Sequence, residues 1–159
     1  MVWVGATMKD ALEFEINPYQ SAGAIRFGMP AAQVRALLDS RLDEMSPSAH
    51  RDAFEELGIR VHYAPSDAAE AIEFRGPAFP TFEGRRLLRQ RYGDLEAWFA
   101  SLDKGLKLEH SGLTSLELGI RLFAPSARKR PEALIEVVTV FEADYVRRYI
   151  MSIMPPPPR

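Results

Sequence analysis

The chain has 159 residues, of which 47% are hydrophobic and 26% are charged, so it is long enough for one globular domain with a buried core. Its lack of cysteine excludes disulfides and zinc–thiolate sites. Its net charge of -2 excludes a global basic field that attracts nucleic acid. No apolar run approaches the roughly 20 residues that cross a bilayer. Residues 1–7 are too short for a signal sequence and Met8 could be the start, so we expect a cytoplasmic protein.

The first third of the chain predicts a strand followed by two helices. Residues 8–20 alternate, with Leu12, Phe14 and Ile16 on the apolar face of a short strand. A helix is then predicted to begin at Pro30, where a missing N–H costs nothing. Its apolar positions recur every three or four residues: Val34, Leu37, Leu38 and Leu42. A second, shorter helix is predicted over residues 49–57.

Two similar stretches follow, and they organise the rest of the sequence. Residues 57–66 read LGIRVHYAPS and residues 118–126 read LGIRLFAPS, and each precedes an apolar run that begins with Glu-Ala. Apolar residues alternate with polar ones in each copy, which predicts two β-hairpins. We therefore interpret residues 1–159 as one domain built of a pseudo-repeat, 24–82 and 84–145, with a proline-rich tail at 151–159.

The remaining segments complete a prediction of the fold class. Residues 78–82 predict a strand at a sheet edge, because Pro80 cannot donate to a ladder. A helix is predicted from Gly93 with Asp94 as its N-cap, and a loop over residues 106–112. Residues 134–141 are apolar on both faces, which is typical of a central strand. The predicted class is α+β: two related helix–β-hairpin units that form an antiparallel sheet with helices packed on one face.

Residues 24–38, AIRFGMPAAQVRALL, carry a resemblance to known proteins. They resemble the opening of small bacterial α+β modules of the outer-membrane-assembly lipoprotein and β-lactamase-inhibitor-protein type. The chain is also similar to uncharacterised bacterial proteins, some of which resemble immunity proteins. The resemblance implies an exposed sheet face that binds protein, in units that can be doubled, and it carries over no catalytic residue. Pro30 stands where such openings carry Ser or Thr. Since the chain has no cysteine to carry a lipid, envelope anchoring is not implied.

No pattern of catalytic or ligand-binding residues is found in the sequence. The three histidines, His50, His62 and His110, are isolated and lack the paired spacing of metal ligands. No glycine-rich phosphate loop and no nucleophile elbow are present. We therefore expect no catalytic residue, no cofactor and no metal.

The candidate interaction residues point outward from the predicted hairpins or lie beside a helix surface. They are Arg60, His62, Glu73, Trp98, Arg121, Phe123 and Glu136. Glu73 and Glu136 hold equivalent places in the two hairpins. We predict that they pair across strands with Arg60 and Arg121, rather than converging as two carboxylates. Trp98 is adjacent to Phe99 on one helix, so one of the two rings is expected to be half exposed.

A cluster of basic residues is a second candidate surface. It consists of Arg85, Arg86, Arg89 and Arg91, with residues 128–130, Arg-Lys-Arg. The net charge and the absence of interleaved aromatic residues argue against nucleic acid, so an acidic protein surface is the better partner. Scattered, solvated arginines remain the alternative.

These observations predict a non-enzymatic protein-binding module: an immunity or inhibitor protein that acts on a partner, such as a toxin or an enzyme, through its sheet face. One alternative is a small-ligand-binding protein or enzyme whose site between the repeats uses His62, Glu73, Arg121 and Glu136. Another is a self-associating subunit, a homodimer paired through the strand near residues 79–82. A deep enclosed pocket would favour the ligand-binding alternative, and an open face with exposed aromatic rings would favour the binding module. We expect neither nucleic-acid nor membrane partners.

Overall fold

The computed structural model describes residues 13–38, 44–46 and 50–150. The fold is mixed α+β and mostly sheet. The described strands follow in chain order: β1 (Glu13–Asn17), β2 (Ser21–Ala22), β3 (Ile25–Arg26), β4 (Glu44–Ser46), β5 (Arg51–Phe54), β6 (Ile59–Tyr63), β7 (Ala69–Phe74), β8 (Phe79–Phe82), β9 (Arg85–Arg86), β10 (Lys107–Glu109), β11 (Gly112–Ser115), β12 (Ile120–Phe123) and β13 (Val137–Phe141). The described helices are short: α1 (Ala31–Leu38), α2 (Tyr92–Leu102) and α3 (Ala143–Tyr145), which continues as a π-helical turn (Val146–Ile150).

The larger sheet has eight strands in the order β10-β11-β12-β13-β7-β6-β5-β4, and all its neighbours are antiparallel. It consists of two four-stranded meanders, β4–β7 and β10–β13, that meet where β13 pairs with β7. At this joint Val138 lies opposite Phe74, and Val140 lies opposite Ile72. The prediction of a central strand is confirmed for β13, because its neighbours on both sides are strands and four of its five residues are buried.

A second sheet of five strands has the order β3-β2-β1-β8-β9, so the expectation of a single antiparallel sheet is wrong. Within it β1 and β8 are parallel, with Phe14 opposite Pro80. The expectation that β8 is an edge strand is also wrong, since it lies between β1 and β9. Pro80 is tolerated there because β9 ends at Arg86, so the ladder needs no N–H from Pro80. The Pro80 carbonyl accepts a hydrogen bond from the N–H of Leu87, the next residue.

The hydrophobic core lies on one face of the eight-stranded sheet, called here the inner face. Ile59, Val61 and Tyr63 of β6 point into it, as their alternation predicts. The five-stranded sheet packs against this face, and the Phe14 ring lies 5.4 Å from the Phe74 ring. Helices α1 and α2 join the same core, each through its buried apolar residues, of which Val34 is an example.

A buried carboxylate ties α1 to the eight-stranded sheet. Asp52 of β5 is 1% exposed and lies on the inner face opposite Val61. It accepts hydrogen bonds from Nε and Nη2 of Arg35 at 2.8 and 2.9 Å, and from the Tyr63 hydroxyl at 2.9 Å. Burial, followed by the bond to Asp52, raises the pKa of Tyr63, so its hydroxyl remains a donor at physiological pH.

Several local predictions are wrong for identifiable reasons. Residues 51–54, predicted as helix, form β5, because Phe54 and its neighbours pair with β6. The predicted loop at 106–112 contains β10. Leu37 of α1 is 45% exposed rather than inward, since the narrow contact of this helix is made through Ala31 and Val34. Asp94 lies in the first turn of α2, whose N-cap is Arg91. Leu12, Leu42 and the tail at 151–159 lie outside the described residues.

Candidate functional site

The outer face of the eight-stranded sheet, opposite the core, carries the candidate site. One row of residues in register crosses five strands of this face: Arg60, Glu73, Thr139, Arg121 and Thr114. Charged and hydroxyl side chains alternate with the apolar inner positions because each strand turns successive residues to opposite faces. The row is therefore a polar band across both meanders and their joint.

An open groove of about 500 Å³ lies over the middle of this band. Glu73, Thr139 and Arg121 line it, together with Arg75 just beyond the end of β7. Phe123, the last residue of β12, also lines the groove and is 40% exposed. A large exposed ring beside charged groups is the combination that anchors many protein interfaces.

Ion pairs hold the charged groups of the band in fixed positions. Arg121 donates from Nη2 and Nε to Oε2 of Glu109 at 2.8 and 3.2 Å, and Thr114 also donates to Glu109. On the other side of Thr139, Nε2 of His62 lies 3.7 Å from Oε1 of Glu73. The nearby His62 side chain lowers the pKa of Glu73 against the opposing effect of burial, so Glu73 is ionised at neutral pH.

The C-terminal part of the described chain covers one end of the outer face. Ala71 of β7, Phe141 of β13 and Val146 form a small apolar cluster there, separate from the main core. The Tyr145 ring stacks on Phe141 with 5.9 Å between centroids, and burial raises the pKa of Tyr145. Tyr149 packs on Tyr145 at 4.9 Å and is 47% exposed, so a second aromatic ring borders the band.

The structure brings five of the seven predicted interaction residues to the outer face: Arg60, His62, Glu73, Arg121 and Phe123. The remaining two lie elsewhere. Trp98 is half buried on α2, as expected for one ring of the pair, and it packs against Phe82 beneath the Arg85 guanidinium. Glu136 precedes β13 and donates its backbone N–H to Phe123.

The predicted cross-strand ion pairs are not formed as expected. Arg60 lies opposite Glu73 in register, but its guanidinium binds Glu55 at 3.0 Å. Arg121 lies opposite Thr139 rather than Glu136, so the pair expected in the second hairpin is wrong. Its carboxylate partner, Glu109, comes instead from β10, two strands away in the sheet.

Several residues of the groove were not predicted as interaction residues, among them Arg75, Glu109 and Thr139. Thr139 carried a signal, because it is the one hydroxyl in the run Val-Val-Thr-Val-Phe of a strand otherwise apolar on both faces. Glu109 was hidden by the prediction of a loop. Its role requires β10, β11 and β12 to pair, which the sequence of a three-residue strand does not indicate.

Among residues 13–38, 44–46 and 50–150, no group of three or more acidic or histidine side chains is arranged to hold a metal ion. Within the same ranges, no helix has both the length and the apolar character that a bilayer crossing requires. A scan against protein-family models found no match, and searches of curated proteins and of solved structures returned none.

Proposed function

We propose that this chain is a non-enzymatic protein-binding module that acts on a partner protein, as an immunity or inhibitor protein does, through the outer face of its eight-stranded sheet. The observation that carries the proposal is the open groove over the polar band, with Phe123 exposed in it. Eight strands spaced about 4.8 Å apart give a face roughly 35 Å wide. A face of that width can supply the about 800 Å² per partner of a standard interface.

The state of the polar groups favours binding over catalysis. A general base or nucleophile must be able to reach a substrate, whereas Arg121 is engaged with Glu109 and His62 lies against Glu73. Of the four residues of the alternative enzyme site, Glu73 and Arg121 line the groove, whereas His62 and Glu136 do not. The groove is also open to solvent rather than an enclosed cavity, which supports a docking surface.

Phe123 and Arg121 are the proposed anchors of the interface. An exposed ring that becomes buried removes apolar area from water, at about 25 cal/mol per Å². Arg121 is held by Glu109, so less side-chain entropy is lost when a partner binds to its free N–H groups. Arginine and aromatic residues dominate the energetics of measured interfaces.

We also propose that the two meanders are related units, each contributing half of the binding face. Gly58 and Gly119 support this, since each adopts a positive φ, 71° and 68°, in the turn before the equivalent strands β6 and β12. The strand order of one meander is the reverse of the other about the β7–β13 joint, as an approximate two-fold axis would produce. The band then combines equivalent arginines, Arg60 and Arg121, from both units.

The proposal is tested by affinity capture with matched variants. The native chain, Phe123→Asp and Leu37→Asp are used as baits in the lysate of the native host, because Leu37 is similarly exposed, at 45%, but lies on α1. The expected result is a protein captured by the native and Leu37→Asp chains and lost with Phe123→Asp. A partner retained equally by all three would refute the role of the outer face.

The inhibitory part of the proposal is tested on the captured partner. Its activity is measured with increasing amounts of native chain and of Phe123→Asp. Inhibition that saturates at equal stoichiometry with the native chain only is the expected result. An unchanged activity at saturating native chain would contradict an immunity or inhibitor role, while leaving the binding surface itself intact.

A further inference from the structure

A second charged surface lies on the other layer of the molecule, at the free edge of the five-stranded sheet. Strand β9 at this edge consists of Arg85 and Arg86, and Arg89 and Arg91 follow within six residues. All four side chains are exposed, and none forms an ion pair with any residue in the described ranges. We call these four residues the arginine edge.

Aromatic rings hold two guanidinium groups of the arginine edge in place. The guanidinium carbon of Arg85 lies 4.0 Å from the centre of the Trp98 ring, and that of Arg86 lies 4.6 Å from the Phe79 ring. Neighbouring residues of a strand point to opposite faces, so the two groups flank the edge on its two sides. Stacking covers one flat face of each guanidinium and leaves its N–H groups available.

The other two arginines are positioned by the backbone. The N–H of Arg89 donates to the carbonyl of Ile135 at 2.8 Å, and Arg91 forms a bridge with Leu134. Between the two pairs of arginines, Leu87 and Leu88 are buried in the core. Six steps of extended chain reach at most about 20 Å, so four cationic groups are displayed on a short, anchored segment.

We infer that the arginine edge binds an acidic polypeptide segment, with carboxylates engaging the N–H groups of the guanidinium pairs. Arginine binds a carboxylate through two parallel hydrogen bonds, and fixed rotamers lower the entropy that such binding costs. The segment 85–91 carries four positive charges and no acidic residue in a chain of net charge -2. This surface is separate from the outer face proposed above.

The structure favours a polypeptide over a nucleic acid. Single-stranded nucleic acids are held by exposed aromatic rings on which bases stack. At this edge the Trp98 and Phe79 rings are already occupied by Arg85 and Arg86. The net negative charge of the remaining surface also opposes a long polyanion more than a short acidic segment.

The test uses the full chain with Trp3→Phe, which leaves Trp98 as its single tryptophan. A poly-glutamate peptide of about 20 residues is titrated while Trp98 emission is recorded, because a carboxylate at Arg85 alters the surroundings of that ring. We expect saturable binding that weakens with salt. Arg85→Gln/Arg86→Gln should weaken it at least tenfold, measured by calorimetry.

The control, Arg26→Gln/Lys104→Gln, removes the same charge from exposed positions elsewhere and should weaken binding less than threefold. Arg85→Lys/Arg86→Lys keeps the charge without the planar fork. If the glutamine pair fails to fold, a threefold loss in the lysine pair supports the inference and no loss overturns it. No saturable binding, equal losses in both glutamine variants, or tighter binding of an oligothymidylate of equal charge would overturn it.

Discussion

Replacement of Asp52 by asparagine tests the link between α1 and the eight-stranded sheet. The native carboxylate is 1% exposed and accepts two bonds from Arg35 and one from Tyr63. The amide keeps the shape but turns an N–H₂ group towards these donors, so at least one bond is lost and Arg35 loses its counter-charge. Breaking a fully buried pair costs about 3–5 kcal/mol. Because the Arg35 side chain is 36% exposed and can be hydrated, we expect about 2–3 kcal/mol.

The measurement is urea unfolding at 25 °C, followed by thermal unfolding. At about 2–4 °C per kcal/mol for a chain of this size, the melting temperature should fall by about 4–12 °C. Tyr63→Phe, which removes one bond and no charge, should cost about 1 kcal/mol. The exposed Glu15 provides a control, and Glu15→Gln should change stability by less than about 0.5 kcal/mol. A loss below about 0.5 kcal/mol in Asp52→Asn would refute the proposed link.

Three further predictions concern the outer face and its turns. His62 lowers the pKa of Glu73 in the folded state, so ionised Glu73 stabilises the fold above the usual pKa near 4.5, and this stabilisation is lost as pH falls through the folded pKa. In Glu73→Gln the free energy of unfolding should therefore decrease less steeply at acid pH than in the native chain, and an unchanged acid dependence would contradict this. Gly58→Ala should lower the free energy of unfolding in urea by about 3 kcal/mol or more, since a Cβ there would overlap the Arg75 carbonyl oxygen. Gly119→Ala should cost less, because the added Cβ would lie no closer than 3.1 Å to its neighbours, and the reverse order would be inconsistent with these turns. Phe123→Ser should abolish partner capture while costing no more than about 1–2 kcal/mol of the free energy of unfolding, because 40% of the residue is already exposed; a larger loss of stability would show that the ring is structural.

Periodicity identified the parts of the fold whose burial is regular. The alternation of Ile59, Val61 and Tyr63 predicted β6 and its inner face, because one face of this strand is buried and the other is partly exposed to solvent. The run of valines around residue 138 predicted a central strand, since β13 has strands on both sides. In both cases the local pattern and the tertiary environment agree.

The sequence was misleading where a long-range partner compensates an unusual residue. Asp52 points into the core, so β5 lacks an apolar alternation, and the compensating Arg35 lies on a helix 17 positions earlier. The five-stranded sheet was missed because β2, β3 and β9 have two residues each, too few for a period. The outward positions of the hairpins were predictable from local alternation. The ion pair between Arg121 and Glu109 was not, because it depends on the pairing of β10 with β11 and β12.

The joint between the two meanders also has a consequence for how the chain folds. Each meander pairs strands that are near neighbours in sequence, whereas the joint pairs residue 74 with residue 138 and so closes a much longer loop. Closing a loop about six times longer costs roughly 1.6 kcal/mol more in entropy, so we expect the half-sheets to form before they meet. During that interval β7 and the very apolar β13 are both unpaired edges. In the last step of folding, β7 can pair either with β13 of the same chain or with β13 of another copy. We therefore expect domain swapping of β13 to be the main misfolding route of this architecture.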